Sequence, residues 1–144
     1  MKTLYLKLIE LLSEIPELKY IDLNCGQLQM EKPPLAYPAV LINLSAAVDT
    51  QVQDFFQIIA ANMELTICVK MLSESNSNTP EDVREKALNY MDLSEKIYHK
   101  LQGYQDAKFD SFSRKSITDQ NLRKGLKTTV QRFETSWQEE IASS

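Results

Sequence analysis

One histidine, His99, and two cysteines, Cys25 and Cys68, carry all the imidazole and thiol chemistry of this chain. A Ser-His-Asp or Cys-His pair would have to use His99. His99 falls late in a helical pattern, where an imidazole serves as a favourable charge at the helix end. A tetrahedral zinc site needs four ligands, and one histidine with two distant cysteines does not supply them. Cys25 and Cys68 lack metal-ligand or redox spacing, and they read as two reduced, partly buried thiols. The carboxylates have structural explanations: Glu81, Asp82 and Glu85 crowd a helix start, while Glu10 and Glu14 lie on a solvent face. None is embedded in apolar sequence, as a perturbed catalytic acid would be. Three glycines in the whole chain leave no phosphate loop and no dinucleotide fingerprint. The residues therefore predict neither an enzyme nor a cofactor or metal site.

The remaining chemistry is electrostatic. Residues 106 to 132 hold seven basic side chains, Lys108, Arg114, Lys115, Arg123, Lys124, Lys127 and Arg132, against Asp106, Asp110 and Asp119. Residues 1 to 102 run the other way, with nine basic and fourteen acidic side chains. Such asymmetry serves either a solvated loop face, an oppositely charged neighbour, or nucleic acid. Phe109 and Phe112 beside Arg114–Lys115 resemble a stacking platform. The chain as a whole is acidic, with a net charge of -4 and a pI near 5.1, and it carries no nucleic-acid-binding motif spacing. Sequence-specific nucleic-acid binding is not expected.

The elements that must position these groups follow from periodicity. With 144 residues, 43% hydrophobic and 25% charged, the chain fits one globular domain. The opening MKTLYLKLIELL has the look of a signal peptide, but Lys7 and Glu10 interrupt it, and the expectation is an amphipathic helix. Thr3 would cap that helix, Leu4, Leu8, Leu11, Leu12 and Ile15 would face inward, and Pro16 would end it. No stretch approaches the ~20 apolar residues of a spanning helix. LKYIDL reads as a short strand and residues 24–38 as a loop.

Three prolines, Pro33, Pro34 and Pro38, then precede AVLINL. They cannot donate to a ladder, so they set where pairing begins, and Ala39–Leu44 reads as a strand covered on both faces. Residues 45–61 stay open between a continuing strand, an excursion and a returning strand. Phe55, Phe56, Ile58 and Ile59 are too apolar for a free loop, and either pack at the domain edge or await a partner. NMELTICVKML alternates, with Met63, Leu65, Ile67, Val69 and Met71 on one face. SESNSN reads as a loop. TPEDVREKALNYMDLSEKIYHKLQG predicts one long helix, about 80–102, with Thr79 as N-cap, Pro80 in the first turn, Asp82 completing a capping box and Gly103 closing. Its inward stripe is Val83, Ala87, Tyr90, Met91, Ser94, Ile97 and Leu101. DAKFDSFSRKSITD reads as a decorated strand, NLRKGLK as a turn, and TTVQRFETSW as a closing strand with Phe133, Thr135 and Trp137 on one face. The order predicts an α+β fold with an N-terminal helix and a long helix packed on one face of a mostly antiparallel sheet.

This layout resembles the tail terminator, or tail completion, family of long-tailed bacteriophages and prophages. The resemblance is carried by AYPAVLINL, MELTICVKM, the helix from TPEDVREKALNYM, and the closing pair FDSFSRKSITDQNL and TTVQRFETSW, and it spans nearly the whole chain. It implies a virion-assembly protein that closes as a ring, commonly a hexamer, on the last tail-tube ring, ends tube growth and offers the head a docking surface. Its implied partners are itself, a tail-tube protein, a head-completion protein and DNA passing without sequence recognition. The implied places are the bacterial host cytoplasm and then the virion tail, with no membrane, and no catalytic residues are carried over. In such a ring Phe55, Phe56 and Ile58 would suit a subunit interface, and Arg114, Lys115, Arg123 and Lys124 would face a neighbour or the channel. Another head-tail connector component, or a small immunity or regulatory protein binding one partner, would also fit the residues.

Overall fold

A computed structural model describes residues 1–71 and 74–141, without the side chains of residues 52 and 53. Its elements, in chain order, are α1 (Lys2–Leu12), β1 (Tyr20–Leu23), β2 (Ala39–Gln53), β3 (Phe56–Lys70), α2 (Glu81–Ala87), α3 (Asn89–Leu101), β4 (Ser113–Arg123) and β5 (Leu126–Glu140). The strands form one sheet in the order β1-β2-β3-β5-β4. Only β1 with β2 is parallel, and the other three pairings are antiparallel. The expected α+β class is the observed one.

The alternating apolar residues of the strands put one sheet face under the helices. Leu4, Leu8, Leu11 and Leu12 of α1 and Leu93, Ile97 and Leu101 of α3 pack on Val40, Ile42, Met63, Leu65, Ile67 and Phe133. Lys96 pairs with Glu17 at 2.9 Å, and Lys100 pairs with Glu14, tying α3 to the turn that follows α1. Thr3 lies inside α1, whose N-cap is Met1, because the helix begins two residues earlier than the cap signal suggested.

The single long helix is in fact two. Leu88 takes φ -92° and ψ 4°, and the chain tightens there as the Met91 amide reaches the Leu88 carbonyl at 2.9 Å. The expected stripe holds on both sides of the break, with Ala87, Tyr90, Ser94, Ile97 and Leu101 buried. Leu93 is also buried, at 5% exposure, whereas Met91, expected inward, is 47% exposed. Pro80, with ψ 142°, is the N-cap of α2 and makes no side-chain cap bond. The Thr79 hydroxyl is buried without a hydrogen-bond partner among the described residues, so neither the Thr79 cap nor the capping box forms.

The segment 45–61 resolves into one long hairpin. β2 and β3 pair from Ala39–Cys68 out to Gln53–Phe56, across a turn at residues 54–55. Register shifts fall between Val48 and Thr50 and between Gln51 and Gln53. The β4–β5 hairpin turns at Lys124–Gly125, where Gly125 takes the positive φ of 81° that side-chain-bearing residues rarely adopt. Residues 121–123, expected in a turn, still belong to β4. The strand expected over 106–119 begins only at Ser113. The Asp106 carboxylate accepts the Lys108 and Phe109 amides, 2.8 Å each, and this local turn competes with the ladder. The loop expected at 73–78 is non-regular over 74–78, and residue 73 falls outside the described residues.

The proline-rich loop covers the sheet's second face. Leu28, Ala39, Leu41 and Cys68 form a smaller core there, flanked by Tyr20, Leu35, Tyr37 and Leu126. AVLINL is apolar on both faces because helices cover one and this loop covers the other.

Candidate assembly surface

β1 pairs with β2 only as far as Leu23–Ile42, and β4 pairs with β5 only back to Ser113–Glu134. Beyond those limits the sheet continues as the outer halves of β2, β3 and β5, an arm reaching past both edge strands. Ser45 to Gln51 of β2 are exposed throughout, as are Gln138 to Glu140 of β5. Phe55 sits at the hairpin tip, 49% exposed, and its carbonyl accepts the Ile141 amide at 2.9 Å. Strand alternation places Phe56 and Ile58 on the face away from the helices, both partly buried. The three expected interface residues therefore share one arm, but Phe56 and Ile58 lie on its loop-side face while Phe55 closes its tip.

Two hollows flank the arm. On the helix side, Met1, Ala46, Phe55, Ile59, Trp137 and Ile141 border an apolar groove of about 350 Å³. On the other side of Trp137, a wider and more polar hollow of about 510 Å³ is bordered by Ile58, Lys108, Asp110 and Glu140. Asp110 is already engaged there, accepting the Ser136 hydroxyl at 2.7 Å.

Sequence reasoning missed Trp137 and Ile141 as neighbours of Phe55. They lie some eighty residues away in the chain, and only the β3–β5 register, with Ile59 opposite Trp137, brings them together. The signal that was present is the largely apolar run at 55–59 together with the isolated Trp137 and Ile141 near the end of the chain.

The basic residues are dispersed rather than gathered. Arg114 stacks on Tyr98, its guanidinium 3.8 Å from the ring centroid, and donates to Gln131 at 3.3 Å. Lys115 lies 3.8 Å from Glu134. Arg123 donates to the carbonyls of Leu28 (3.0 Å), Glu31 (2.8 Å) and Met30, and so clamps the proline-rich loop to β4. Lys124 is exposed at the β4–β5 turn. Arg132 and Lys127 pair with Glu64 (2.9 Å) and Asp119 (3.4 Å). Most of this charge is spent within the chain, as ordinary surface pairing.

Phe109 and Phe112 are 2% and 0% exposed, so the stacking platform they resembled in sequence is core. Phe109 meets Trp137 edge-on at 5.7 Å, and Phe112 lies 5.2 Å from Tyr104. His99 is exposed on α3, 3.6 Å from Glu95. Cys25 is exposed and Cys68 buried, both as free thiols. Burial pushes the Cys68 thiol up to about 11, which keeps it protonated and unreactive. Among the described residues no three His, Cys, Asp or Glu side chains group as metal ligands. No helix among them is long and apolar enough to cross a membrane. Compared with known proteins, the sequence matches no family model and no curated relative.

Proposed function

We propose that this chain is a non-enzymatic virion-assembly protein of the tail-terminator kind. In this reading copies close into a ring, a hexamer, on the end of a phage tail tube, stop its elongation and present a surface for the head. DNA passes through the ring unread, and the protein works in the bacterial host cytoplasm and then in the virion tail. The observation that carries the reading is the arm of β2, β3 and β5. It is a strand-built projection with an exposed phenylalanine tip and a free strand edge, features that suit contact with another molecule. The layout of helix, strand, long hairpin, helices and closing hairpin agrees with the resemblance of the sequence.

Light scattering over a range of concentrations, with and without tail-tube protein, tests this reading. The expected species is about six times the 16.5 kDa chain, near 99 kDa, alone or on tube ends that then cease to grow. Monomers that leave tube growth unchanged would overturn it. So would a tight one-to-one complex with an unrelated protein, which would make the chain a small partner-binding factor.

A further inference from the structure

We propose that Asn43–Val48 of β2 pairs antiparallel with the outer edge of β4 in a second copy of this chain, joining successive sheets head to tail. This rests on the reading of the chain as self-assembling and names the strands that join.

The Ile42 carbonyl accepts the Asn24 amide at 2.9 Å, so the backbone polar groups of Ile42 point away from β3. By strand alternation those of Leu44, Ala46 and Val48 do the same, and no strand pairs with them among the described residues. Natural sheets guard such edges with lysine, proline or a bulge. Asn43–Val48 contains neither lysine nor proline, and the first register shift comes only after Val48.

The complementary edge belongs to the same chain. β4 runs in regular register from Ser116 to Gln120, a length close to that of Asn43–Val48. Ile117 lies opposite Gln131, on the helix face, and is 47% exposed; Met91 of α3, equally exposed, borders the same shallow hollow. Leu44, Ala46 and Val48 lie opposite Met63, Ala61 and Ile59, on the helix face of their own sheet. Joined edge to edge, Ile117 and Met91 of one copy continue the stripe of Leu44, Ala46 and Val48 of the next. The other face meets small uncharged residues on both sides, Ser116 and Thr118 against Asn43, Ser45 and Ala47.

Charge sets the direction. Antiparallel pairing brings Asp49 toward Lys115, a half-exposed cation held only loosely by Glu134 at 3.8 Å, whereas parallel pairing brings it toward Asp119. The sheet agrees, because β2 and β5 run one way and β3 and β4 the other. A copy related by rotation about an axis along the strands therefore presents β2 antiparallel to β4. That is a heterologous contact, able to repeat until it closes.

The test uses full-length protein with Cys25→Ser as background. Ala46→Cys and Ile117→Cys variants are mixed under mild oxidation and read by mass spectrometry. The expected product is a covalent dimer linking position 46 to position 117, with little product from either variant alone. In parallel, Ala46→Pro removes an outward amide, so the β2–β3 ladder should survive while self-association weakens at least about tenfold by sedimentation. If that variant does not fold, Ala46→Lys replaces it, with the same expected loss. A 46–46 link, no link, unchanged association of the folded variant, or a wild type monomeric at every concentration would overturn the proposal. Oligomers that form without the 46–117 link would refute this pairing and leave the ring reading standing. The link without any binding to tail-tube protein would do the reverse.

Discussion

The side-chain amide of Gln131 donates to both the carbonyl (2.9 Å) and the hydroxyl (2.7 Å) of Ser94, joining β5 to α3 inside the core. Gln131 is 0% exposed, and its carbonyl oxygen in turn accepts Arg114, which lies over Tyr98. A buried amide survives here because its donors and its acceptor are both satisfied. Gln131→Ala should cost about 2–3 kcal/mol and Ser94→Ala about 1 kcal/mol in urea unfolding, with a coupling near 1 kcal/mol in the double variant. Additive losses would show that the pair does not act as one bridge.

The Arg123 clamp predicts which thiol reacts. Cys25 should label rapidly at pH 8, while Cys68, buried under the proline-rich loop, labels at least about a hundredfold more slowly. Arg123→Ala removes three hydrogen bonds from the loop and should speed Cys68 labelling about tenfold, with the helix-side core intact by circular dichroism. Equal Cys68 rates in the two proteins would refute the clamp.

Acid should act on the turn before β4. The Phe109 amide, helped by the Lys108 amide and the Tyr104 hydroxyl, holds the Asp106 carboxyl below its usual 3.8. A depressed carboxylate stabilises the fold above its unfolded pKa and loses that contribution as pH falls through the lower folded value. Asp106→Asn should therefore be less stable than wild type at pH 7 by under about 1 kcal/mol, since the group is exposed to solvent. The difference should shrink as pH drops below about 4. A gap that stays constant down to pH 2 would exclude the charge as its cause.

The buried face of α3 is tested by two of its residues. Leu93→Ala should cost about 2–4 kcal/mol and Met91→Ala under about 0.5 kcal/mol, read by thermal or urea unfolding. The reverse order would show that α3 turns Met91, and not Leu93, toward the sheet.

Periodicity alone determined much of this protein. The α1 stripe of leucines, the alternation of β3 and β5, the start of β2 at Ala39 after Pro38, and the α+β class all follow from side-chain spacing, because burial on one face imposes the period locally. The turn at Lys124–Gly125 was legible too, although it occupies fewer residues than its composition suggested. What the tertiary structure decided depends on contacts distant in sequence. Leu93, and not Met91, joined Ile97 and Leu101 in the core. Phe109 and Phe112 became core because Trp137 and Tyr104 meet them. Arg123 became a clamp through carbonyls some ninety residues away. The arm that frames Phe55 exists because β3 and β5 both outrun the edge strands. Strand lengths and register arise from pairing between segments, and no single segment carries that information in its own pattern.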